Sequence, residues 1–193
     1  MHAFAKYPGR LTLAAVLTMV TILAHEIAHY LGAVFMGGAD VHLHWADVTY
    51  DAASLDALGV AVTSLAGPAV TYAIILWIWA SGRTEAASLA LGLGACSRNL
   101  VLLPFTIKSF LGRDVSGFSQ DEVTAAAALG IAPLPLAIVS VALGLAGLIL
   151  FLTRAYRAEG AWLSVALFLG TLIGIVLWSQ LGPVVLPGGR DYS

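Results

Sequence analysis

Five stretches of this chain are each apolar for about twenty residues or more: 11–36, 58–80, 86–107, 131–153 and 161–181. About twenty apolar residues in helical form cross the roughly 30 Å hydrocarbon core of a bilayer. Backbone amides find no water inside lipid, so each stretch is expected to be a helix that satisfies its own N–H and C=O groups. Of the 193 residues, 60% are hydrophobic and 10% charged, against about 25% charged in soluble domains. That leaves too few polar side chains to cover a water-facing surface, which excludes a soluble globular domain and a disordered chain. One cysteine, Cys96, excludes a disulfide-stapled scaffold. Nine Lys and Arg with a net charge of −2 leave no basic stripe for nucleic acid. The expected fold is all-α and polytopic: a single membrane-embedded domain over residues 1–193, with about five transmembrane helices and a small β-like insertion after the first.

The third stretch is interrupted by Ser97-Arg98-Asn99 and Pro104, and the fifth runs into Gly182-Pro183 and Pro187-Gly188-Gly189. Gly92, Gly94, Gly144 and Gly147 suit close helix contacts. Two connecting segments hold most of the remaining polarity. Residues 37–57 contain the alternating Val41-His42-Leu43-His44-Trp45, expected as a strand, and Asp40, Asp47, Asp51 and Asp56 without any Lys or Arg. Residues 108–130 contain Gly112-Arg113-Asp114 and Ser119-Gln120-Asp121-Glu122. The latter fits a capping box opening a short helix from Glu122 to Leu129, ended by Gly130 and Pro133. Lys6 and Arg10 ahead of residues 11–24 also resemble a signal peptide. Cleavage after Ala24 would leave the next residues at a free terminus, so a retained span is the expected reading.

Late in the first stretch stands His25-Glu26-Ile27-Ala28-His29, an H-E-x-x-H motif. Residues four apart on a helix differ by about 40° in azimuth and 6 Å in height. Both imidazoles therefore project from one face and can close on a single ion at about 2.0–2.1 Å from each nitrogen. Glu26, adjacent to the first ligand, can reach a water at that ion without joining the coordination shell, as the chemistry of peptide hydrolysis requires. The competing reading is a helix whose histidines only hydrogen-bond to neighbours. Three ionisable residues within five positions of a membrane helix cost several kcal/mol unless they are functional or paired, which favours one zinc ion.

At these residues the chain resembles the site-2 protease family of intramembrane zinc metalloproteases (peptidase family M50). Besides the membrane-embedded H-E-x-x-H, Leu65-Ala66-Gly67-Pro68-Ala69-Val70-Thr71 resembles the family's A-G-P-x-x-N segment, with Thr71 in place of Asn. The polar, strand-like insertion at residues 38–49 is also similar to the family, and Asn99 to Pro104 is similar to its N-x-x-P stretch. The resemblance covers about residues 11–122, a metal-site core of about 11–130 followed by accessory helices over 131–182. It implies a multi-pass protein of a prokaryotic cell membrane whose substrate is a transmembrane or membrane-tethered protein segment. It also implies a third ligand from an Asp, which the family carries in L-D-G; this chain has no L-D-G. The candidates are Asp121 and Asp114. Asp121 is favoured because it opens a short helix and is held by a cap, which would position its carboxylate better, and because Asp121-Glu122 followed by Leu129-Gly130-Ile131-Ala132-Pro133 is similar to divergent members.

Asn99 is expected to hold the substrate carbonyl or the developing oxyanion. Arg98 has two readings, the same role or a structural one, as a pair with Glu26 or an Asp or as a snorkelling side chain. His42 and His44 share one strand face and are expected to line an aqueous entrance rather than bind a second metal. Trp77, Trp79, Trp162 and Trp178 read as interfacial or lipid-facing aromatics, and Cys96 as a small core residue. Alternating spans put the end of the first helix, residues 37–57 and residues 108–130 on one membrane side. His25 and His29 lie about 21 and 27 Å along the helix from Leu11, so both Asp candidates reach the ion without crossing the bilayer. The positive-inside rule, with Lys6, Arg10, Arg83, Arg154 and Arg157 set against Lys108, Arg113 and Arg190, puts the N-terminus in the cytoplasm; the family resemblance implies the reverse. Two other functions compete with hydrolysis: a non-catalytic membrane scaffold or chaperone with a structural metal site, and a small metal permease. The scaffold has no need of Glu26, and the permease needs polar residues on helices that lack them.

Overall fold

Small residues and polar residues share one face of the first helix, α1 (Tyr7–Phe35), and that face organises the bundle. Ala14, Ala15, Thr18, Thr21, Ile22, His25, Glu26, His29 and Ala33 are buried and recur every three or four residues. Val16, Val20, Ile27 and Leu31 lie exposed on the opposite side, where an apolar surface suits lipid. The motif therefore faces protein, as an ionisable cluster in a membrane helix must.

The structure, a computed structural model, describes residues 7–187. Lys6, Gly188, Gly189 and Arg190, which bear on orientation and on the C-terminal tail, lie outside the described residues. After α1 come two-residue strands β1 (His42–Leu43) and β2 (Val48–Thr49), then α2 (Ala57–Ser81), α3 (Ala86–Asn99), α4 (Leu103–Phe110), α5 (Asp121–Ala128), α6 (Pro133–Glu159) and α7 (Ala161–Val185). Among the described residues, five segments are long and apolar enough to cross a membrane: α1, α2, α3 with α4, α6 and α7. This is an all-α polytopic membrane protein, and the helix through residues 11–24 continues without interruption into the motif.

α1 sits at the centre because glycines on its neighbours let them approach. A Cβ on Gly170 or Gly174 of α7 would lie 2.6 Å from Ala14 Cβ or 2.8 Å from Thr18 Cβ. The expected glycines do the same elsewhere: Gly94 against Thr21, Gly92 against Phe151, Gly144 against Asn99, and Gly147 against Cys96. Cys96 is buried in the main apolar cluster with Ile75, Leu89, Leu93, Phe151 and Leu167. At the far end, Arg10 pairs with Glu159 at 3.2 Å, and Arg154 donates to the α2 carbonyls of Ile78 and Trp79 at 2.9 and 3.0 Å. A cation at a helix C-terminus meets the negative end of the backbone dipole.

The third span is broken where the sequence places it. α3 stops at Asn99, a single 3-10 turn covers Leu100–Leu102, and α4 restarts with Pro104 in its first turn. Proline has no N–H to give the carbonyl four residues back, which favours a break or restart at Pro104, although α2 continues through Pro68. The expected strand over residues 41–45 is shorter than its alternation suggests. Only His42 and Leu43 pair, with Thr49 and Val48, and His44 N–H donates to Asp47 O at 2.9 Å to close the hairpin. Asp51 and Asp56 cap the following helical turns through Ala53 N–H and Gly59 N–H.

The capping box at Ser119-Gln120-Asp121-Glu122 is not formed. The helix begins one residue earlier, at Asp121, with Gln120 as N-cap and no side-chain cap bond. Both acids have tertiary partners instead, described next.

Candidate metal centre

One helical turn brings the two imidazoles together, and the third donor arrives from a distant part of the chain. His25 and His29 have ring centroids 4.7 Å apart at 79°, with their Nε2 atoms 3.0 Å apart. Asp121, the first residue of α5, places Oδ2 at 2.9 Å from His25 Nε2 and 3.2 Å from His29 Nε2. Among the described residues this trio is the group of His, Cys, Asp and Glu whose ligand atoms converge. Asp114 is elsewhere: exposed, and accepting from Ser116 N–H and Ser116 Oγ at 2.9 and 3.1 Å in its own turn.

The trio fits a divalent cation. His29 Nδ1 lies 2.7 Å from the Thr63 carbonyl, which can only accept, so Nδ1 carries a proton and Nε2 is free to bind a cation when the ring is neutral. Asp121 Oδ2 and the two Nε2 atoms form a triangle about 3 Å on a side. Such atoms repel unless a proton or a cation lies among them. The edge of a tetrahedron built with 2.0–2.1 Å bonds is about 3.3 Å, a few tenths longer than the distances here. His25 Nδ1 is buried with no partner among the described residues. Burial works against charge on Asp121, but the hydrogen-bonding imidazoles outweigh it and hold the carboxyl well below the usual carboxylate range.

Gly67 makes the site sterically possible. A Cβ there would overlap His29 Nε2 and lie 2.7 Å from His25 Nε2. Pro68 follows, withdrawing one N–H from the α2 ladder, and the Thr71 hydroxyl is shared between Pro68 O at 2.8 Å and Asn99 Oδ1 at 3.2 Å. The Leu65–Thr71 motif thus has a physical role: it admits the imidazoles and ties α2 to the end of α3.

Glu26 is 1% exposed and does not join the trio. It accepts from Arg98 Nη2 at 2.9 Å, the pairing that was one of two readings of Arg98. A cavity of about 280 Å³ is lined by Glu26, His29 and Asp121 together with the hairpin residues Asp47, Val48 and Thr49. A second, of about 200 Å³, is lined by His25, Arg98, Asn99 and Asp121. Asn99 Nδ2 is buried without a partner among the described residues, and Asn99 lines that second cavity. The trio therefore stands between two polar cavities.

Three further features escape a reading of the sequence alone. Glu122, 6% exposed, accepts from Tyr72 OH and Ser140 Oγ, both at 2.8 Å on Oε1. Burial pushes its carboxyl upward, moderated by those two donors. Trp178, expected as an interfacial or lipid-facing aromatic, donates Nε1–H to Trp45 O at 2.8 Å and ties the hairpin to α7. His44 bridges Pro187 O at 3.2 Å and Thr49 Oγ1 at 2.9 Å, so its ring nitrogens are occupied and no second metal group forms with His42 among the described residues. The sequence signal for the Glu122 and Trp178 contacts is a polar or indole group in an otherwise apolar run, at Tyr72, Ser140 and Trp178.

Comparison with protein-family models, with curated proteins and with solved structures finds no match to this chain.

Proposed function

We propose that this chain is an intramembrane zinc metalloprotease that hydrolyses a peptide bond of a transmembrane or membrane-tethered segment. The observation that carries the reading is the convergence of His25 Nε2, His29 Nε2 and Asp121 Oδ2 within 3.2 Å, with Glu26 in the wall of the same cavity. His25, His29 and Asp121 would hold the zinc, which supplies Lewis acidity that polarises a carbonyl and acidifies water near neutral pH. Glu26 takes a proton from water as the water oxygen bonds to the scissile carbonyl carbon. It returns that proton to the amine nitrogen as the C–N bond breaks. Asn99, with Nδ2 unpartnered, donates to the carbonyl oxygen as charge develops there. A substrate helix must unwind locally first, because its amides are otherwise hydrogen-bonded, and the outer edge of the hairpin offers backbone groups to pair with it.

One observation favours a second reading, a membrane scaffold with a structural metal: Arg98 already occupies Glu26 Oε1, and an ion-paired carboxylate is a weaker base. The discriminating experiment compares the purified chain with Glu26→Gln for zinc content and for cleavage of a reconstituted single-span substrate. Zinc retained by both, with cleavage only by the parent, supports the protease. Zinc retained by both and cleavage by neither supports the scaffold.

A further inference from the structure

α5 has eight residues, about 12 Å of helix, too short to span anything, yet it delivers the third donor of the metal trio. Its first turn has no side-chain cap, so capping does not fix the direction in which Asp121 points. Its other buried side chains apart from Glu122 are Ala125 and Ala126, and half-buried Val123 packs against the cluster of Leu102, Phe105 and Val141; these apolar contacts seat the helix but offer no directional bond. Glu122 does offer one. It follows Asp121 by one residue, about 100° further round the helix. Its Oε1 receives hydroxyl groups from two different spanning helices, Tyr72 of α2 and Ser140 of α6. Among the described residues it forms no ion pair. A buried carboxyl without a counter-charge is expensive, and an apolar side chain would serve packing better. Its place is explained by what it orients.

Resting on the metal-site reading above, we propose that Glu122 is the positioning residue that sets Asp121 on the ion, and that Ser140 thereby makes α6 part of the metal centre. Donor atoms must be held within about 0.5 Å and 10–20° for a site to work. Two convergent hydrogen bonds one residue away supply that hold.

The test measures zinc affinity of the full-length purified chain by chelator competition, and amide exchange of residues 121–128 without metal. Glu122→Ala is expected to weaken zinc about 10- to 100-fold and to speed α5 exchange. Glu122→Gln, which keeps an accepting Oε1, stays within about threefold of the parent by the same scale. A residue that merely stabilised the bundle would lower the melting temperature and leave the zinc affinity of the folded protein unchanged. Parent-like affinity and α5 protection in folded Glu122→Ala overturn the proposal, as does an equal loss in Glu122→Gln. If Glu122→Ala does not fold, Tyr72→Phe combined with Ser140→Ala decides on the same two readouts: weaker zinc with faster α5 exchange supports the proposal, and parent-like values overturn it. A parent that binds no zinc defeats the metal-site reading, and α5 exchange alone then judges the anchor: faster in Glu122→Ala supports it, unchanged overturns it.

Discussion

Arg98 Nη2 lies 2.9 Å from Glu26 Oε1, so the carboxylate beside the metal trio is paired with a cation from the broken third span. The arginine side chain is 25% exposed and the glutamate 1%. The pair therefore joins a carboxylate enclosed by the bundle to a guanidinium that still reaches a polar cavity. Burying such a charge alone is costly, whereas burying it with a hydrogen-bonded partner is tolerated.

Arg98→Leu leaves Glu26 enclosed without a partner. The unfolding free energy is expected to fall by about 3–5 kcal/mol, and adding Glu26→Gln recovers most of that loss by removing the orphaned charge. Denaturant or thermal unfolding in detergent micelles reads both. Equal losses in the single and double variants would show that the pair is not coupled.

Gly67→Ala puts a methyl where the imidazole nitrogens converge. Overpacking of this kind costs about 1–3 kcal/mol of stability, which the fold is expected to survive, but metal binding is expected to be abolished. Stoichiometric metal in a folded Gly67→Ala protein would mean that the ion sits elsewhere.

Trp178→Phe keeps the ring and removes the N–H that reaches Trp45 O. The lost bond is expected to cost about 1 kcal/mol and to loosen the hairpin on α7 without changing metal content. Faster amide exchange confined to residues 44–49 is the expected signature. Unchanged exchange there would show that the tie does not hold the hairpin.

Metal affinity is expected to rise with pH and then level off, because both imidazoles must be neutral to bind. Asp121 adds no third proton in this range, since its carboxyl is held low by His25 and His29 despite its burial. At a pH low enough to protonate both imidazoles of the metal-free protein, the slope of log affinity against pH approaches two. A slope near three would mean that Asp121 titrates with them; a flat profile would mean that histidine is not a ligand.

The five spans and the H-E-x-x-H geometry were legible because each depends on neighbours in the chain: apolar run length in one case, the four-residue helical repeat in the other. Pro104 announced the break after Asn99 for the same reason, since the missing N–H is a property of the residue itself. What was not legible depends on pairings far apart in sequence. The sequence favours Asp121 over Asp114, but the contact that decides it joins residues 96 apart, and the tie from Trp178 to Trp45 spans 133. The capping box failed because Glu122 finds Tyr72 and Ser140, partners that a local pattern cannot see. Gly170 and Gly174 were passed over although they seat α7 on α1, because glycine spacing alone does not say which helix approaches.

The central claim is that one ion is held by His25, His29 and Asp121, and X-ray absorption at the zinc edge of the purified chain tests it most directly. The account predicts one zinc per chain, with two imidazoles and a carboxylate oxygen at about 2.0–2.2 Å. It also predicts that the oxygen shell changes, with loss of the carboxylate contribution, or that the metal itself is lost in Asp121→Ala, and that neither happens in Asp114→Ala. No stoichiometric zinc in the parent, or a coordination sphere that Asp121→Ala leaves unchanged, would contradict it.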